Sequence, residues 1–324
     1  MKFNGFIAAI FVAIIIAYLF PEGIVLFPLK TITDIGIGFI FFFYGLKLSP
    51  PEFKLGFLNY KVHIAIQLAT FVAFPLLALL CLPLFEAGTG SDLWIALFFL
   101  GTLPSTVSSS IVMVSLAKGN LPTAIFNASL SGLIGIFATP IWLSFFLSGS
   151  TDFEFLDVLI KLCWQIIIPL ILGLFLQKFL GDFARKHSKK LGLLDKVTII
   201  LIVYSSFSNS FTSKIFSSVE TIDLLKLTGI VILLFFIVYF GLGLICNILG
   251  FNLKDKITTQ FCGTKKSLVH GSVMVKVIFG NSANTGLLLL PIMIYHSLQL
   301  ILIAFYAENY KKRVLKAETS EETL

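Results

Sequence analysis

Long apolar runs constrain the fold of this chain more than any other feature of its sequence. A run of about 20 apolar residues can cross the hydrocarbon core of a bilayer as an α-helix. No water satisfies backbone N–H and C=O groups in that core, so only helices and closed barrels cross it. Charged residues make up 13% of the chain, against about 25% in a soluble domain. The sequence therefore predicts an all-α polytopic membrane protein.

The apolar runs predict ten transmembrane helices. The first run follows a lone Lys2 and lacks a small-residue cleavage site, so we interpret it as a helix and not as a removed signal peptide. The predicted bounds are 6–20, 34–48, 61–84, 92–117, 121–148, 156–180, 195–213, 222–250, 254–279 and 284–307. The polar tail after Tyr310 is predicted to be disordered.

A polar stretch interrupts the fourth predicted helix. Residues 102–111 read TLPSTVSSSI and place six hydroxyl side chains around Pro104. Proline disrupts a helix interior because it donates no backbone hydrogen bond. The hydroxyls either satisfy the freed backbone groups or face something other than lipid. The sequence therefore predicts a helix broken near the middle of the membrane, within 92–117.

The sequence pattern that follows this polar stretch is repeated half a chain later. Residues 110–120 and 271–281 share five of eleven positions, at an offset of 161 residues in a chain of 324. This favours a duplication into halves at 1–150 and 151–307, with five helices each, followed by a cytoplasmic polar tail at 308–324. An odd number of helices inverts the second half, as in many secondary transporters, and paired interrupted segments mark their binding sites. The second broken helix is predicted within 254–279.

The charged residues between the predicted helices are distributed unequally. Cytoplasmic loops are rich in Lys and Arg, which predicts a multi-pass protein of the cell (inner) membrane with both termini in the cytoplasm. The basic residues of the predicted inside segments are Lys47, Lys54, Lys61, Lys118, Lys178, Arg185, Lys186, Lys189, Lys190, Lys196, Lys254, Lys256, Lys311, Lys312, Arg313 and Lys316. The acidic residues of the outside segments are Glu86, Asp92, Asp152, Glu154, Asp157, Glu220 and Asp223. Because the basic residues lie in short loops, the net charge of +7 does not indicate nucleic-acid binding.

Polar residues inside the predicted helices are candidate binding residues. Lys276 is ionisable within the membrane region, which indicates function unless its side chain snorkels to an interface. His270 is either functional or a hydrogen-bonding residue at a helix end, while His63 is interpreted as a loop or interface residue. Gln67 is either an interhelical hydrogen-bond partner or a ligand, and Asn127 is close enough to the first break to line a site. The candidate substrate- or ion-binding residues are Ser105, Thr106, Ser108, Ser109, Ser110, Asn127, Gln67, His270, Ser272 and Lys276.

Half-helix N-termini carry partial positive charge, so a carboxylate or sulfonate is predicted to bind between Ser108–Ser110 and His270–Ser272. The expected partners are thus a small organic anion and the lipid bilayer. No motif of a metalloprotease, a P-loop enzyme or a serine hydrolase is present, so an enzyme is not expected. The alternatives to transport are a transporter-fold protein that regulates ion homeostasis and a channel, which would need a continuous polar face.

Five stretches carry a resemblance to a known family. They are FFFYGLKLSPPEFKLGFLNYKVHIAIQLATFVAFPLL (41–77), TLPSTVSSSI (102–111), AKGNLPTAIFNASLSGLIGIFATP (117–140), VYSSFS (203–208) and PIMIYHSLQLI (291–301). Together they resemble the bile acid:sodium symporter superfamily, and within it the branch around sodium/bile acid cotransporter 7 and its bacterial relatives. The resemblance implies ten helices in two inverted repeats, a panel domain, and a core domain with two crossing broken helices. It also implies secondary transport of a bile-acid-like anion or another carboxylate or sulfonate, classically driven by sodium.

The chain departs from the sodium ligands that the resemblance implies. The family's Ser-Asn pair falls on Ser109 and Ser110, so an amide is lost, and its glutamate falls on or near His270. A family glutamine falls near Gln67, or on Thr70 if the alignment follows the next proline. Ser109, Ser110 and Gln67 are the candidate sodium ligands, and no cofactor other than sodium is expected. With no Asp or Glu in either crossing stretch, transport is predicted to be proton-linked or sodium-independent, through Lys276 first and His270 second.

Overall fold

The structure is a computed structural model, and it is helical throughout the part of the chain that it describes. The described residues are 5–47, 58–85, 91–147, 155–280, 282 and 284–321. Helix accounts for 88% of the structure, and the described ranges contain no strand. The predicted all-α class is therefore confirmed.

Fifteen α-helices make up most of the described chain. In chain order they are α1 (Gly5–Leu19), α2 (Gly23–Leu26), α3 (Leu29–Lys47), α4 (Tyr60–Leu68), α5 (Phe74–Leu80), α6 (Asp92–Thr102), α7 (Ser108–Leu116), α8 (Leu121–Leu147), α9 (Phe155–Leu162), α10 (Ile168–Lys186), α11 (Ser188–Thr212), α12 (Thr221–Ile248), α13 (Leu253–Gly263), α14 (Leu268–Phe279) and α15 (Thr285–Glu321). Seven helical segments in the described ranges are long and apolar enough to cross a membrane. The count of ten spans and the inverted repeat stay predictions.

The chain divides into two compact units, and each draws on both halves of the sequence. Unit 1 comprises 1–48, 140–225 and 269–290, and unit 2 comprises 49–139, 226–268 and 291–324. The boundaries predicted for the two repeats, and the panel and core assignment, stay predictions.

Small residues allow close helix packing in unit 1, where α3 packs against α10 and α11, and α1 against α11. A Cβ atom at Gly45 would lie 2.3 Å from the carbonyl oxygen of Leu170, and one at Gly173 would lie 2.1 Å from that of Phe42. Glycines at a crossing let two backbones approach, which is the usual means of packing helices in membranes. The α3–α10 contact therefore requires glycine on both helices.

Two prolines follow single wide turns of helix. Residues Ala69–Ala73 and Cys163–Ile167 are π-helical, and Pro75 and Pro169 come two residues after them. Proline cannot donate the i→i−4 bond of an α-helix, and a π-bulge is one way of accommodating such a disruption. Both helices thus continue past their prolines, α4 into α5 in unit 2 and α9 into α10 in unit 1.

Two stretches outside the predicted apolar runs are helical where loops or disorder were expected. Helix α10 runs on to Lys186 and α11 starts at Ser188, and the tail predicted to be disordered continues α15 to Glu321. Lengthening an existing helix avoids the costly nucleation of a new one. In addition, Lys, Arg and Glu have good helix propensity. Four charges used for the topology lie outside the described residues: Lys54, Glu86, Asp152 and Glu154.

Candidate functional site

Two interruptions of the helical chain form the centre of the candidate site. Helix α6 ends at Thr102 and α7 begins at Ser108, so the first predicted interruption is present. Helix α13 ends at Gly263 and α14 begins at Leu268, which places the second interruption just before the repeated stretch at 271–281. We call residues 103–107 the first break and residues 264–267 the second break. Each leaves backbone groups that need partners outside its own helix.

The two breaks are bonded to each other inside unit 2. The N–H of Ser267 donates to the carbonyl of Pro104 at 2.9 Å, and the Ser105 hydroxyl donates to the carbonyl of Cys262 at 2.6 Å. The N–H of Ser105 donates in turn to the hydroxyl of Ser131 on α8 at 2.9 Å. Ser105, predicted as a binding residue, therefore uses its hydroxyl to join the first break to the end of α13 and its N–H to join it to α8.

Lys266 fills the space beside the first break with a buried ammonium group. Its Nζ donates to the carbonyl oxygens of Thr70 at 2.8 Å, Gly101 at 2.6 Å and Leu103 at 2.7 Å. The residue is 1% exposed, and Nζ lies 4.2 Å from the ring centroid of Phe74. An ammonium group has three donors, and all three are used on backbone oxygens. We call these three oxygens the carbonyl cage.

Helix α15 fixes the backbone of the second break. The Gln299 side chain accepts from the N–H of Lys266 at 2.8 Å and donates to its carbonyl at 2.9 Å. Tyr295 donates its hydroxyl hydrogen to the carbonyl of Thr264. Gln299 also lies 2.9 Å from Nδ1 of His296. Each of these bonds satisfies a buried group of the break, so the position of Lys266 is set by α15.

Lys265, the second ammonium of the break, lies against the start of α7. Its Nζ donates to the carbonyl oxygen of Ser109 at 2.7 Å and lies 3.4 Å from the Ser109 hydroxyl. That hydroxyl donates to Thr106 Oγ1 at 2.8 Å, and Thr106 Oγ1 lies 2.8 Å from Ser110 Oγ. Ser108 is exposed. Three predicted residues, Thr106, Ser109 and Ser110, are thus brought together with a cation that the prediction did not include.

Gln67 and Asn127 belong to a second cluster of polar side chains in unit 2. Gln67 Nε2 donates to Asn127 Oδ1 at 3.2 Å, and Asn127 Nδ2 lies 2.6 Å from His63 Nδ1. Asn127 is fully buried and also donates to the carbonyl of Thr123 at 3.0 Å. His63, interpreted from the sequence as a loop or interface residue, is 7% exposed. Polarity alone could not reveal that α4 turns this side chain inward.

The remaining predicted residues belong to unit 1. The His270 ring packs edge-on against Phe41, with 5.7 Å between centroids, and against Tyr44. Ser272 is fully buried, and its hydroxyl oxygen has no hydrogen-bond partner in the described ranges. Lys276 is 7% exposed on α14, where Asp34 attracts its ammonium group. That these residues face Ser108–Ser110 across one anion stays a prediction.

One carboxylate does lie at the start of the second broken segment. Asp255 is in the first turn of α13, within the range predicted for that segment, and accepts from the side-chain amides of Asn59 at 2.9 Å and Asn120 at 2.8 Å. The prediction that neither crossing stretch contains Asp or Glu therefore holds for the residues of the two breaks. It is wrong for the second broken segment as a whole, because that segment includes Asp255. These two amides join α13 to the start of α4 and to the turn before α8 through this carboxylate.

Lys265 and Lys266 were not predicted as site residues, although their position in the sequence carries a signal for function. At the offset of 161 that relates the repeated stretches, Lys265 corresponds to Pro104 and Lys266 to Ser105. Two consecutive lysines inside a predicted transmembrane segment are expensive and indicate function.

In the described ranges, seven helical segments of membrane length and two mutually bonded helix breaks are typical of a multi-pass membrane transporter. Irregular backbone is tolerated at membrane depth only where protein or a water-filled cavity covers it, and discontinuous helices are the usual substrate-binding elements of secondary transporters. The comparisons with known proteins agree. The model of the SBF-like CPA transporter family matches residues 4–312. The chain belongs to this family, which lies within the bile acid:sodium symporter superfamily.

Relatives match the chain over nearly its full length. An uncharacterised protein of Pseudomonas aeruginosa is 34% identical over 96% of this chain and 93% of its own length. The putative symporter YfeH of Escherichia coli is 30% identical over 99% of this chain and 96% of its own. Sodium/bile acid cotransporter 7 of Rattus norvegicus is 30% identical over 92% of this chain and 89% of its own. The resemblance read from the sequence is confirmed, and the family is one of transporters and not of enzymes.

Proposed function

We propose that the protein is a secondary active transporter of a small organic anion, and that its transport cycle does not require sodium. The observation that carries the proposal is the ammonium group of Lys266 in the carbonyl cage. Unwound backbone carbonyls and half-helix C-termini bind sodium in transporters with broken helices. In this chain a covalently attached cation occupies such a group of oxygens.

A tethered cation differs from a bound ion in one respect that matters for coupling. It satisfies the same oxygens and supplies the same unit charge, but it cannot dissociate and cross the membrane. Thr70 supports this interpretation, because it is one of the two positions on which the family's glutamine falls and its carbonyl belongs to the cage. With the charge supplied by Lys266, a sodium gradient has no ion to drive through this position.

Lys265 supports an anionic substrate. Its ammonium group lies at the N-terminal turn of α7, beside the hydroxyls of Ser109 and Ser110 and next to the exposed Ser108. A helix N-terminus carries about half a positive charge and unpaired N–H groups. A lysine placed there adds to the attraction for a carboxylate or sulfonate. His270 and Ser272 are proposed to supply the opposite side, and Lys276 and His270 to carry a coupled proton.

The names of the relatives indicate the same class of substrate. One relative is called a symporter and others are called sodium/bile acid cotransporters. Those names supply the substrate class, a bile acid or another organic anion, and ion-coupled uptake. They do not carry the coupling ion to this chain, because two of its candidate sodium ligands, Ser109 and Ser110, stand where the family pattern includes an amide.

Uptake by the purified protein in proteoliposomes tests the proposal. Radiolabelled taurocholate and short sulfonates and carboxylates would be followed under an inward sodium gradient, an inward proton gradient, and potassium alone. We expect saturable uptake of at least one anion at a rate unchanged when N-methylglucamine replaces sodium. Uptake that stops without sodium would restore ordinary sodium symport. Absence of any uptake in vesicles containing folded protein would favour the regulatory alternative.

A further inference from the structure

A pocket of about 430 Å³ lies in unit 2, away from the two helix breaks. It opens between the last turns of α12, the first turns of α13 and the late part of α15. Its volume falls within the range of roughly 300–1,000 Å³ that is usual for small-molecule sites. The residues that line this pocket are not among those of the candidate transport site, so the pocket needs its own explanation.

Of the residues that the structure describes, two cations and no acidic side chain line the pocket. Lys256 on α13 donates from Nζ to Asn247 Oδ1 at 2.6 Å, and the guanidinium of Arg313 lies 5.8 Å from the ring centroid of Tyr310. Neither contact neutralises charge, because the amide and the ring are both uncharged. Asn309 adds a further amide to the wall. The pocket therefore offers two positive charges and neutral hydrogen-bonding groups, which suit a phosphate group.

The wall on the α12 side is apolar and continues onto the outer surface of that helix. Phe240 and Leu244 line the pocket and are 54% and 64% exposed, and Ile248, one turn further on, is 83% exposed. A side chain of this kind on a membrane-length helix faces lipid tails. The rings of Tyr239 and Tyr306, which also line the pocket, stack at 4.4 Å. A ligand with a phosphate head and acyl chains would meet both charge and apolar surface here.

The pocket lies at the helix ends that the charge distribution assigns to the cytoplasm. Lys254 and Lys256 lie in the first turn of α13, and Lys311, Lys312 and Arg313 lie along α15. Basic residues beside transmembrane helices attract anionic lipids of the cytoplasmic leaflet, at about 1 kcal/mol for each Lys or Arg near the surface. We propose that this pocket binds the phosphate headgroup of an anionic membrane lipid, held by Lys256 and Arg313.

The occupant would touch the helix that leads to the second break. Gln260 on α13 lines the pocket, donates to the carbonyl of Tyr239 at 2.9 Å, and accepts from the hydroxyl of Tyr310. A headgroup held by Lys256 and Arg313 joins α13 to α15 through a further pair of contacts. Bound lipid should therefore stabilise the packing of α13 in unit 2. This site is independent of the proposed transport function.

Lipid titration of the purified full chain in a neutral detergent tests the assignment. Thermal unfolding would be followed while phosphatidylglycerol, phosphatidylcholine or inorganic phosphate is added. The test variant is Lys256→Gln with Arg313→Gln, and the matched control is Lys189→Gln with Lys190→Gln, which removes two exposed charges from unit 1. We expect phosphatidylglycerol to raise the unfolding temperature of the wild type and of the control. In the test variant the lipid concentration needed should rise by roughly tenfold or more.

Each other outcome contradicts the proposal. An equal response of the test variant and the wild type would show that lipid acts elsewhere. An equal loss in the control would mean that only net charge matters, and an equal effect of phosphatidylcholine would remove the role of the anion. A shift with inorganic phosphate alone would assign the pocket to a soluble phosphate compound instead of a lipid. Should the double variant not fold, Arg313→Gln alone, which removes an exposed side chain, is expected to weaken the response by at least severalfold.

Discussion

Lys266 shows how a buried charge is kept in a membrane protein without an acidic partner. An ammonium group taken out of water loses several kcal/mol of solvation unless its hydrogens are bonded. Here three carbonyl oxygens within 2.8 Å take all three hydrogens, and the face of Phe74 lies 4.2 Å away. Gly101 and Leu103 end a helix, so their carbonyls have no helical partner of their own. The lysine and the broken helix therefore satisfy each other.

Replacing Lys266 by Ala should destabilise the protein and create a site for a free cation. The cage carbonyls would lose their donor, and each buried acceptor left unpaired costs about 1–3 kcal/mol. We expect a lower unfolding temperature that sodium or methylammonium partly restores and N-methylglucamine does not. Lys312→Ala, which removes an exposed lysine from α15, is the control. Unfolding of Lys266→Ala at the wild-type temperature would contradict the structural role of the cage.

Changing Ser109 and Ser110 together to Ala should remove ligand binding and leave the apo protein folded. Both hydroxyls bond to Thr106 Oγ1, while the Lys265 ammonium donates to the backbone carbonyl of Ser109 at 2.7 Å and lies farther, at 3.4 Å, from the Ser109 hydroxyl. That carbonyl survives the substitution. Ligand-induced thermal stabilisation measures the effect. Ser144→Ala, on a half-buried serine near the C-terminal end of α8, should retain the ligand-induced stabilisation. Unchanged ligand stabilisation in the double variant would place the anion elsewhere.

At the scale of elements, the two breaks are held by the helices around them. Helix α8 supplies Ser131 to the N–H of Ser105, and Thr139 to the carbonyl of Thr102 at 2.8 Å. Helix α15 supplies Gln299 and Tyr295 to the second break. Irregular backbone inside a membrane protein needs such partners. Both helices thus act as fixed supports of the site.

Helix α8 packs so closely on the first break that it tolerates no side chain there. A Cβ atom at Gly135 would lie 2.7–2.9 Å from three ring atoms of Pro104, and the ring cannot bend away. Gly135→Ala should lower the free energy of unfolding by about 1–3 kcal/mol through overpacking. Gly229→Ala on α12, where a Cβ meets nothing within 4 Å, should be neutral or stabilising. Equal melting of the two variants would show that α8 can shift away from the break.

Gln299 is expected to be the main support that α15 gives to the second break. Gln299→Leu leaves the N–H and the carbonyl of Lys266 buried without partners, and each unpaired group costs about 1–3 kcal/mol. Unfolding temperature in detergent measures the loss. Gln299→Glu with a protonated carboxyl group should be milder, because its carbonyl oxygen accepts from the N–H and its O–H donates to the carbonyl of Lys266. A Leu variant as stable as the wild type would mean that another group satisfies the break.

At the scale of the whole molecule, the distribution of charge predicts that residues 185–196 and the tail lie in the cytoplasm. Single cysteines at Lys189 and Lys316, both exposed, would be introduced after replacement of the native cysteines. In intact cells an impermeant maleimide should label neither position, whereas a cysteine at the exposed Glu220 should be labelled as the control. Labelling of either lysine position from outside would overturn the orientation and the count of ten spans.

Much of the element-level description was available from the sequence, because local chemistry decides it. Apolar length predicts helices, and Pro104 with its hydroxyls predicts the first break, since both depend on backbone hydrogen bonding within a few residues. The pairing of His296 with Gln299 also follows from helical spacing. The five matched positions at half the chain length led to the second break. The interactions that decide these features act within one helical turn or across the width of the membrane.

Only the tertiary structure decided what the polar residues do. Lys266 reaches carbonyls that lie 196, 165 and 163 positions away, and Ser105 reaches one 157 positions away. No local pattern encodes such contacts, because they depend on which helices pack together. Lys276 and Lys266 look alike in the sequence of one segment, yet one lies in unit 1 near Asp34 and the other in a cage of carbonyls in unit 2. The sequence determined that these lysines would need partners in the membrane, and the packing of distant helices determined which partners they have.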